Sequence, residues 1–141
     1  GAFAVQAAEK GVALRADGPA LTARLDPALM ERAIGNLLAN ALRHTPPGGE
    51  VRLSWRRAGD WLEIAVADTG EGIPPEQLPH LFTPMHRTDG SRSRRSGGAG
   101  LGLAIVARIA ALHGGRVACE SRVGEGSTFT LLLPVASPDQ E

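Results

Sequence analysis

Apolar side chains recur with two different periods along this chain, and the switches between them outline its elements. Residues 2–10 are rich in alanine and read as the tail of a helix, interrupted by Gly11. Residues 12–15 and 21–25 are short strand candidates on either side of the turn-like Asp17-Gly18-Pro19. Asp26-Pro27 then starts a helix, with an aspartate at the cap and a proline where its missing N–H is harmless. Met30, Ile34, Leu37, Leu38 and Ala41 follow at helical spacing as one apolar stripe. Pro46-Pro47 and Gly48-Gly49 stop that helix near Thr45.

The period changes to two over residues 50–57, where Val51, Leu53 and Trp55 oppose Arg52, Ser54 and Arg56. Ala58-Gly59-Asp60 turns the chain into a second strand, in which Leu62, Ile64 and Val66 share one face. Asp68 falls on that same face, so a carboxylate continues an apolar row, which is costly unless something donates to it. A Gly/Pro loop covers 69–75 and a short helix is expected at 75–81. Residues 82–98 are polar and basic, with Arg87, Arg92, Arg94 and Arg95; a loop of that length suggests a lid or binding loop. Residues 101–113 are apolar almost all round and predict a buried helix ending at Gly114-Gly115. Segments 116–121 and 128–133 close the chain as a hairpin around Gly124-Glu-Gly126. Strand pairs mixed with helices point to an α+β two-layer arrangement.

Composition narrows the functional classes. The chain has 141 residues, enough for one domain with a real core. Lys+Arg and Asp+Glu are both 15, so no general attraction to nucleic acid or membrane is indicated. Past Phe82 at its start the basic loop has no Phe, Trp or Tyr for base stacking, and a phosphate-seeking lid suits its position better. A single cysteine, Cys119, excludes an internal disulfide and a cysteine metal cage. No apolar run approaches the roughly 20 residues that span a bilayer. A chain opening Gly-Ala-Phe without Met is expected to be a piece of a longer protein.

Asn36, Asn40, Arg43 and His44 lie on one band of the first long helix. Their amides suit a hard cation such as Mg²⁺ and the arginine suits a phosphate, although a solvated polar face has the same pattern. Asp68 could accept from an exocyclic amine such as that of adenine, or cap the Gly70 to Gly72 turn. Gly98, Gly100 and Gly102 let backbone N–H groups approach a phosphate at a helix start, or serve only as a hinge. This run is neither a dinucleotide fingerprint nor a P-loop, because Lys10 is the only lysine.

Five motifs in order resemble a known family. Asn36-Leu-Leu-Ala-Asn40-Ala-Leu-Arg43-His44-Thr45-Pro46 resembles the N box of sensor histidine kinases. Asp68-Thr-Gly70-Glu-Gly72-Ile73-Pro74 is similar to their first glycine box, and Leu81-Phe82-Thr-Pro84-Met85-His86-Arg87 to the F box. Gly98-Ala-Gly100-Leu101-Gly102-Leu103 resembles the second glycine box and Gly124-Glu-Gly126-Ser127-Thr128-Phe129 the closing glycine motif. The resemblance covers nearly the whole chain. It implies the catalytic and ATP-binding domain of a two-component histidine kinase, within the group that includes gyrase and heat-shock-protein-90 ATPases. The implied fold is a Bergerat-type α+β two-layer sandwich, a mixed, largely antiparallel sheet covered by three helices.

Carried over position by position, the resemblance implies that Asn40 binds Mg²⁺ and that Asn36 helps at the phosphates of ATP. Arg43 would contact phosphate and His44 would lie against the nucleotide. Asp68 would accept from the adenine amine, supported through Thr128 and a water, with Gly70, Gly72 and Ile73 beside the base and sugar. Gly98, Gly100, Leu101 and Gly102 would donate to the phosphates, and Arg87 would approach the γ-phosphate when the lid closes. The expected organisation is a lead-in at 1–10, an ATP-binding domain at 11–135 with its lid at 83–99, and a loose tail at 136–141. Met85 departs from the family's usual aromatic. The family's phosphoacceptor segment is absent from the sequence, and Asn36 stands where related ATPases carry a water-activating glutamate. The implied role is therefore to present the γ-phosphate to a histidine on a separate helical domain of the same protein. A response regulator receiver domain is the implied downstream partner. The implied location is cytoplasmic, in an inner-membrane sensor and without direct membrane contact. A serine kinase of the anti-sigma type, or a nucleotide-gated binding module, is the alternative on the same fold.

Overall fold

The computed structural model describes residues 2–19, 25–82 and 97–135. Helix α1 spans Ala2–Lys10 and leads into strand β1, Ala13–Asp17. Helix α2 spans Pro27–His44, followed by the hairpin of β2, Glu50–Ala58, and β3, Trp61–Asp68. A 3-10 turn covers Pro75–His80. Helix α3 spans Gly97–Leu112 and delivers the chain to β4, Arg116–Arg122, and β5, Gly126–Pro134. The sheet order is β1-β2-β3-β5-β4. β1 and β2 run parallel, with α2 as the crossover, and every other pair is antiparallel. This is the mixed, largely antiparallel sheet expected, with the helices forming a second layer. Among the described residues no helix is long and apolar enough to cross a membrane.

The capping signals act as read from the sequence. Asp26 is extended and its carboxylate accepts from the Leu29 N–H at 3.0 Å, with proline opening the helix behind it. The apolar stripe of α2 is buried at Met30, Leu37, Leu38 and Ala41, and Ala33 joins it. It packs on a sheet face built from Val51, Leu62, Ile64, Val66, Phe129, Leu131 and Leu133, with Leu103, Val106 and Ile109 of α3 alongside. Each large side chain so buried contributes about 1.5–3 kcal/mol. Alanines 33, 41 and 110 are fully buried. Their small size lets α2 and α3 approach their neighbours closely.

Four local expectations shift. The first strand is displaced to Ala13–Asp17, and most of the strand expected at 21–25 lies outside the described residues. The helix expected at 75–81 is a 3-10 turn, because Pro79 cannot donate to an α-helical ladder. The helix expected from 101 begins at Gly97, inside the glycine run, as the strongly apolar segment that follows propagates helix backward. The lead-in α1 docks: Ala7 is buried and Phe3 packs against the core.

Candidate active site

The β2–β3 hairpin carries Asp68 to the end of its apolar row, where only 8% of the residue is exposed. The Gly70 N–H donates to its Oδ1 at 2.9 Å. Burial pushes the Asp68 carboxyl up from its ordinary value; backbone hydrogen bonds from Gly70 and Ser127 and the nearby His44 oppose the rise. The protein thus holds a carboxylate in a place that disfavours its charge, facing a cleft of about 570 Å³. Leu78, Cys119, Ser121 and Ser127 also line this cleft; among the described residues its lining comes from β3, β4, β5, the β4–β5 turn and the 3-10 turn, and none comes from α2 or α3. The Cys119 thiol is pushed up to about 12 by burial and by the carboxylates of Asp68 and Glu120, so it stays neutral.

Register decides which closing-hairpin residue serves Asp68. Asp68 pairs with Ser127, and the same face of β5 continues through Phe129, Leu131 and Leu133. Thr128 pairs with Ala67 instead, so strand alternation turns its side chain to the opposite face. The support expected from Thr128 therefore has its place at Ser127, one residue earlier. Ser127 Oγ lies 2.8 Å from Ser121 Oγ. The Ser121 hydroxyl donates to the Gly126 carbonyl at 3.0 Å and accepts from the Ile73 N–H at 2.7 Å. The Ile73 amide is thus spent on the protein, and its side chain packs against the core. Ser121 and Ser127 escaped the sequence reading because only the pairing of β3, β4 and β5 brings them together.

The two glycines of the Asp68 loop serve the protein first. A Cβ on Gly70 would collide with the His44 carbonyl oxygen, and one on Gly72 with the Arg122 carbonyl oxygen. Gly72 also has a φ of 79°. The loop is pressed between the end of α2 and the β4–β5 turn, where the Gly124 N–H donates to Glu71 O at 2.8 Å.

On α2, Asn36 is half-buried and its Nδ2 donates to the Gly102 carbonyl of α3 at 3.3 Å. The two stretches that carry the amides and the glycines do meet, and Asn36 is a strut between them. One turn on, Asn40 is 5% exposed, yet among the described residues its amide makes no hydrogen bond. An unpaired amide that still reaches the surface of a largely buried residue is available to a ligand or cation. No cluster of three His, Cys, Asp or Glu that could hold a metal occurs among the described residues. A cation here would draw most of its oxygens from a phosphate ligand and water, which suits Mg²⁺. Arg43 is exposed, and His44 Nδ1 lies 3.1 Å from Glu71 Oε1.

Because α3 starts at Gly97, Gly98 and Gly100 lie in its first turn, where N–H groups lack helical partners. Leu101 and Gly102 lie beyond that turn, so their amides fall within the helical ladder and are not free donors as expected. Arg87 and the segment 83–96 lie outside the described residues.

A family model described as histidine kinase-, DNA gyrase B- and HSP90-like ATPase matches residues 25–137. The alginate biosynthesis sensor protein KinB of Pseudomonas aeruginosa is 49% identical over 112 residues, covering 79% of this chain and 18% of KinB. The sensor-like histidine kinase SenX3 of Mycobacterium tuberculosis is 45% identical over 131 residues, covering 92% of this chain and 32% of SenX3. The chain thus spans about a third or less of the length of these relatives. Among solved structures, full-length ShkA in complex with AMPPNP superposes with a TM-score of 0.83 at 31% identity, covering 96% of this chain and 28% of ShkA. The catalytic domain of histidine kinase ThkA superposes with a TM-score of 0.82 at 23% identity, covering 99% of this chain and 89% of that one, a likeness of fold.

Proposed function

From the premise that this chain belongs to the histidine kinase-, DNA gyrase B- and HSP90-like ATPase family, we propose that it is the ATP-binding half of a two-component sensor histidine kinase. It binds Mg²⁺–ATP and presents the γ-phosphate to a histidine on a separate helical phosphoacceptor domain of the same protein. A response regulator receiver domain then takes the phosphoryl group. The observation that carries the reading is Asp68: a buried carboxylate at the end of an apolar strand row, facing a cleft.

Each residue has a definable task. Asp68 accepts from the exocyclic amine of adenine, with Ser127 beside it and Gly70 fixing one oxygen by its N–H. Asn40 offers its amide oxygen to Mg²⁺, which neutralises charge on the phosphates. Arg43, and Arg87 from the 83–99 lid, supply positive charge to the phosphates, and the Gly98 and Gly100 amides donate at the start of α3. His44 lies at the nucleotide's edge, held by Glu71. Asn36 is a neutral amide engaged with Gly102 and cannot accept a proton from water, so hydrolysis is suppressed and the phosphoryl group is kept for the incoming histidine. The domain contributes positioning and electrostatics, and the nucleophile arrives on its partner.

Mixing the chain with the helical domain of its parent protein and labelled ATP tests this. Acid-labile phosphohistidine is expected on the helical domain. Acid-stable phosphoserine on an added protein would instead favour a serine kinase of the anti-sigma type, and ATP binding with no transfer would favour a binding module. Asn40→Ala should abolish the Mg²⁺ dependence of ATP binding in calorimetry while the fold persists; unchanged Mg²⁺ dependence would remove Asn40 from the metal's ligands.

A further inference from the structure

A helix end leaves its last carbonyls without intrahelical donors, and the usual remedy is a return of the following backbone N–H groups. The C-terminal end of α2 cannot use that remedy. Thr45 is extended, and Pro46 and Pro47 have no N–H to return. Side chains take over. The Thr45 hydroxyl donates to the Ala41 carbonyl at 2.7 Å. The ammonium of Lys10, at the end of α1, donates to the Leu42 carbonyl at 2.6 Å and the Arg43 carbonyl at 3.1 Å. The His44 carbonyl is the one pressed against Gly70.

The base of Lys10 is fixed as firmly as its tip. Ala7 is buried against the core, and Gly11 turns the chain with its N–H on the Ala7 carbonyl at 2.9 Å. The Gly48 N–H donates to Gly11 O at 2.8 Å, and the Ala13 N–H to Gly49 O at 3.0 Å. The segment after α1 and the segment after α2 are therefore laced together, with Lys10 reaching from one into the helix end above the other. That helix end carries Arg43 and His44, and His44 touches the Asp68 loop through both its carbonyl and its imidazole.

We propose that Lys10, the only lysine in the chain, is a positioning residue for the nucleotide pocket. Its ammonium closes the last turn of α2, keeps Arg43 and His44 in register with the Asp68 loop, and makes the placement of α1 felt at the nucleotide. This rests on the nucleotide reading above. Arg43 and His44 are the residues acted upon; Lys10 itself does not touch the ligand.

Two variants separate positioning from mere packing. Lys10→Met keeps the aliphatic stem and removes the charge and donors, whereas Lys10→Arg keeps both. Loss of a cation at a helix C-terminus corresponds to about a five-fold effect. Lys10→Met should therefore raise the Kd for Mg²⁺–ATP about five-fold, and Lys10→Arg should recover most of it. A second measurement needs no variant. Because no other side-chain ammonium competes, acylation by an N-hydroxysuccinimide ester, mapped by peptide mass, reads the Lys10 amine, and saturating Mg²⁺–ATP should slow it, since coupling between sites is reciprocal. A lower melting temperature in Lys10→Met with unchanged Kd, or acylation indifferent to ATP, would overturn the proposal. Failure of the wild-type chain to bind ATP would instead remove the nucleotide reading, and this inference with it.

Discussion

At its N-terminal end α2 is closed by its own sequence: Asp26 caps the Leu29 amide three residues on, and Pro27 needs no partner. One longer tie is added there, from the Asp26 N–H to His113 Nε2 at 3.2 Å, with His113 Nδ1 held 2.9 Å from the Ile109 carbonyl. At its C-terminal end, the same helix depends on Lys10 from 32 residues away and abuts Gly70 across the hairpin. The first end only starts a helix. The second carries Arg43 and His44 and meets the Asp68 loop, so the remote partners that complete the helix are joined to that loop as well. A local cap costs little to specify but transmits nothing, whereas a cap borrowed from other elements joins those elements to the site.

Gly70→Ala should break the C-terminal end most severely. The added methyl has nowhere to go but the His44 carbonyl, so a stability loss of about 2–3 kcal/mol is expected in urea unfolding. Nucleotide affinity should fall with it, because the loop and the helix end would have to part. Stability loss with unchanged affinity would show that the two regions are not coupled through this contact. Asp26→Ala is the matched lesion at the other end. Loss of the side-chain cap should cost about 1 kcal/mol, and the Kd for ATP should stay the same. A nucleotide defect in Asp26→Ala would mean that α2 transmits along its length, and the contrast between its ends would dissolve.

The same contrast explains what could be read from the chain. The Asp26 cap, the apolar stripe from Met30 to Ala41 and the intrusion of Asp68 into the β3 row are local periodicities, and each stands where its spacing put it. The second end was opaque because its partners are close only in space. Nothing near Lys10 announces that it will meet Leu42 and Arg43. Gly70 looks like a residue that admits a ligand until the His44 carbonyl is found beside it. Ser127 and Thr128 are equally good hydroxyl donors on paper, and only the pairing of Ser127 with Asp68 chooses between them. The helix is expected only from 101 because glycine disfavours helix by about 1 kcal/mol per residue. The apolar segment behind it nevertheless extends α3 to Gly97.

The smallest expected effect concerns pH, and it asks whether the pocket end bears a standing cost that the capped end does not. Burial raises the Asp68 carboxyl above its ordinary value of 3.8. The folded state therefore favours the protonated acid. That contribution is fully present below the unfolded value and is lost as pH rises through the folded value. Asp68→Asn keeps an oxygen for the Gly70 N–H but does not titrate. Subtracting the unfolding free energy of Asp68→Asn from that of the wild type should hence give a difference that declines as pH rises from below 3.8 through the acid range. A difference that instead grows with pH would mean that the Gly70 and Ser127 amides outweigh burial and that the carboxylate is at ease without a ligand. The expected decline means that the ionised Asp68 is a poor choice for folding, as the proposed role requires: there an amine donor would supply the hydrogen bond that burial withholds.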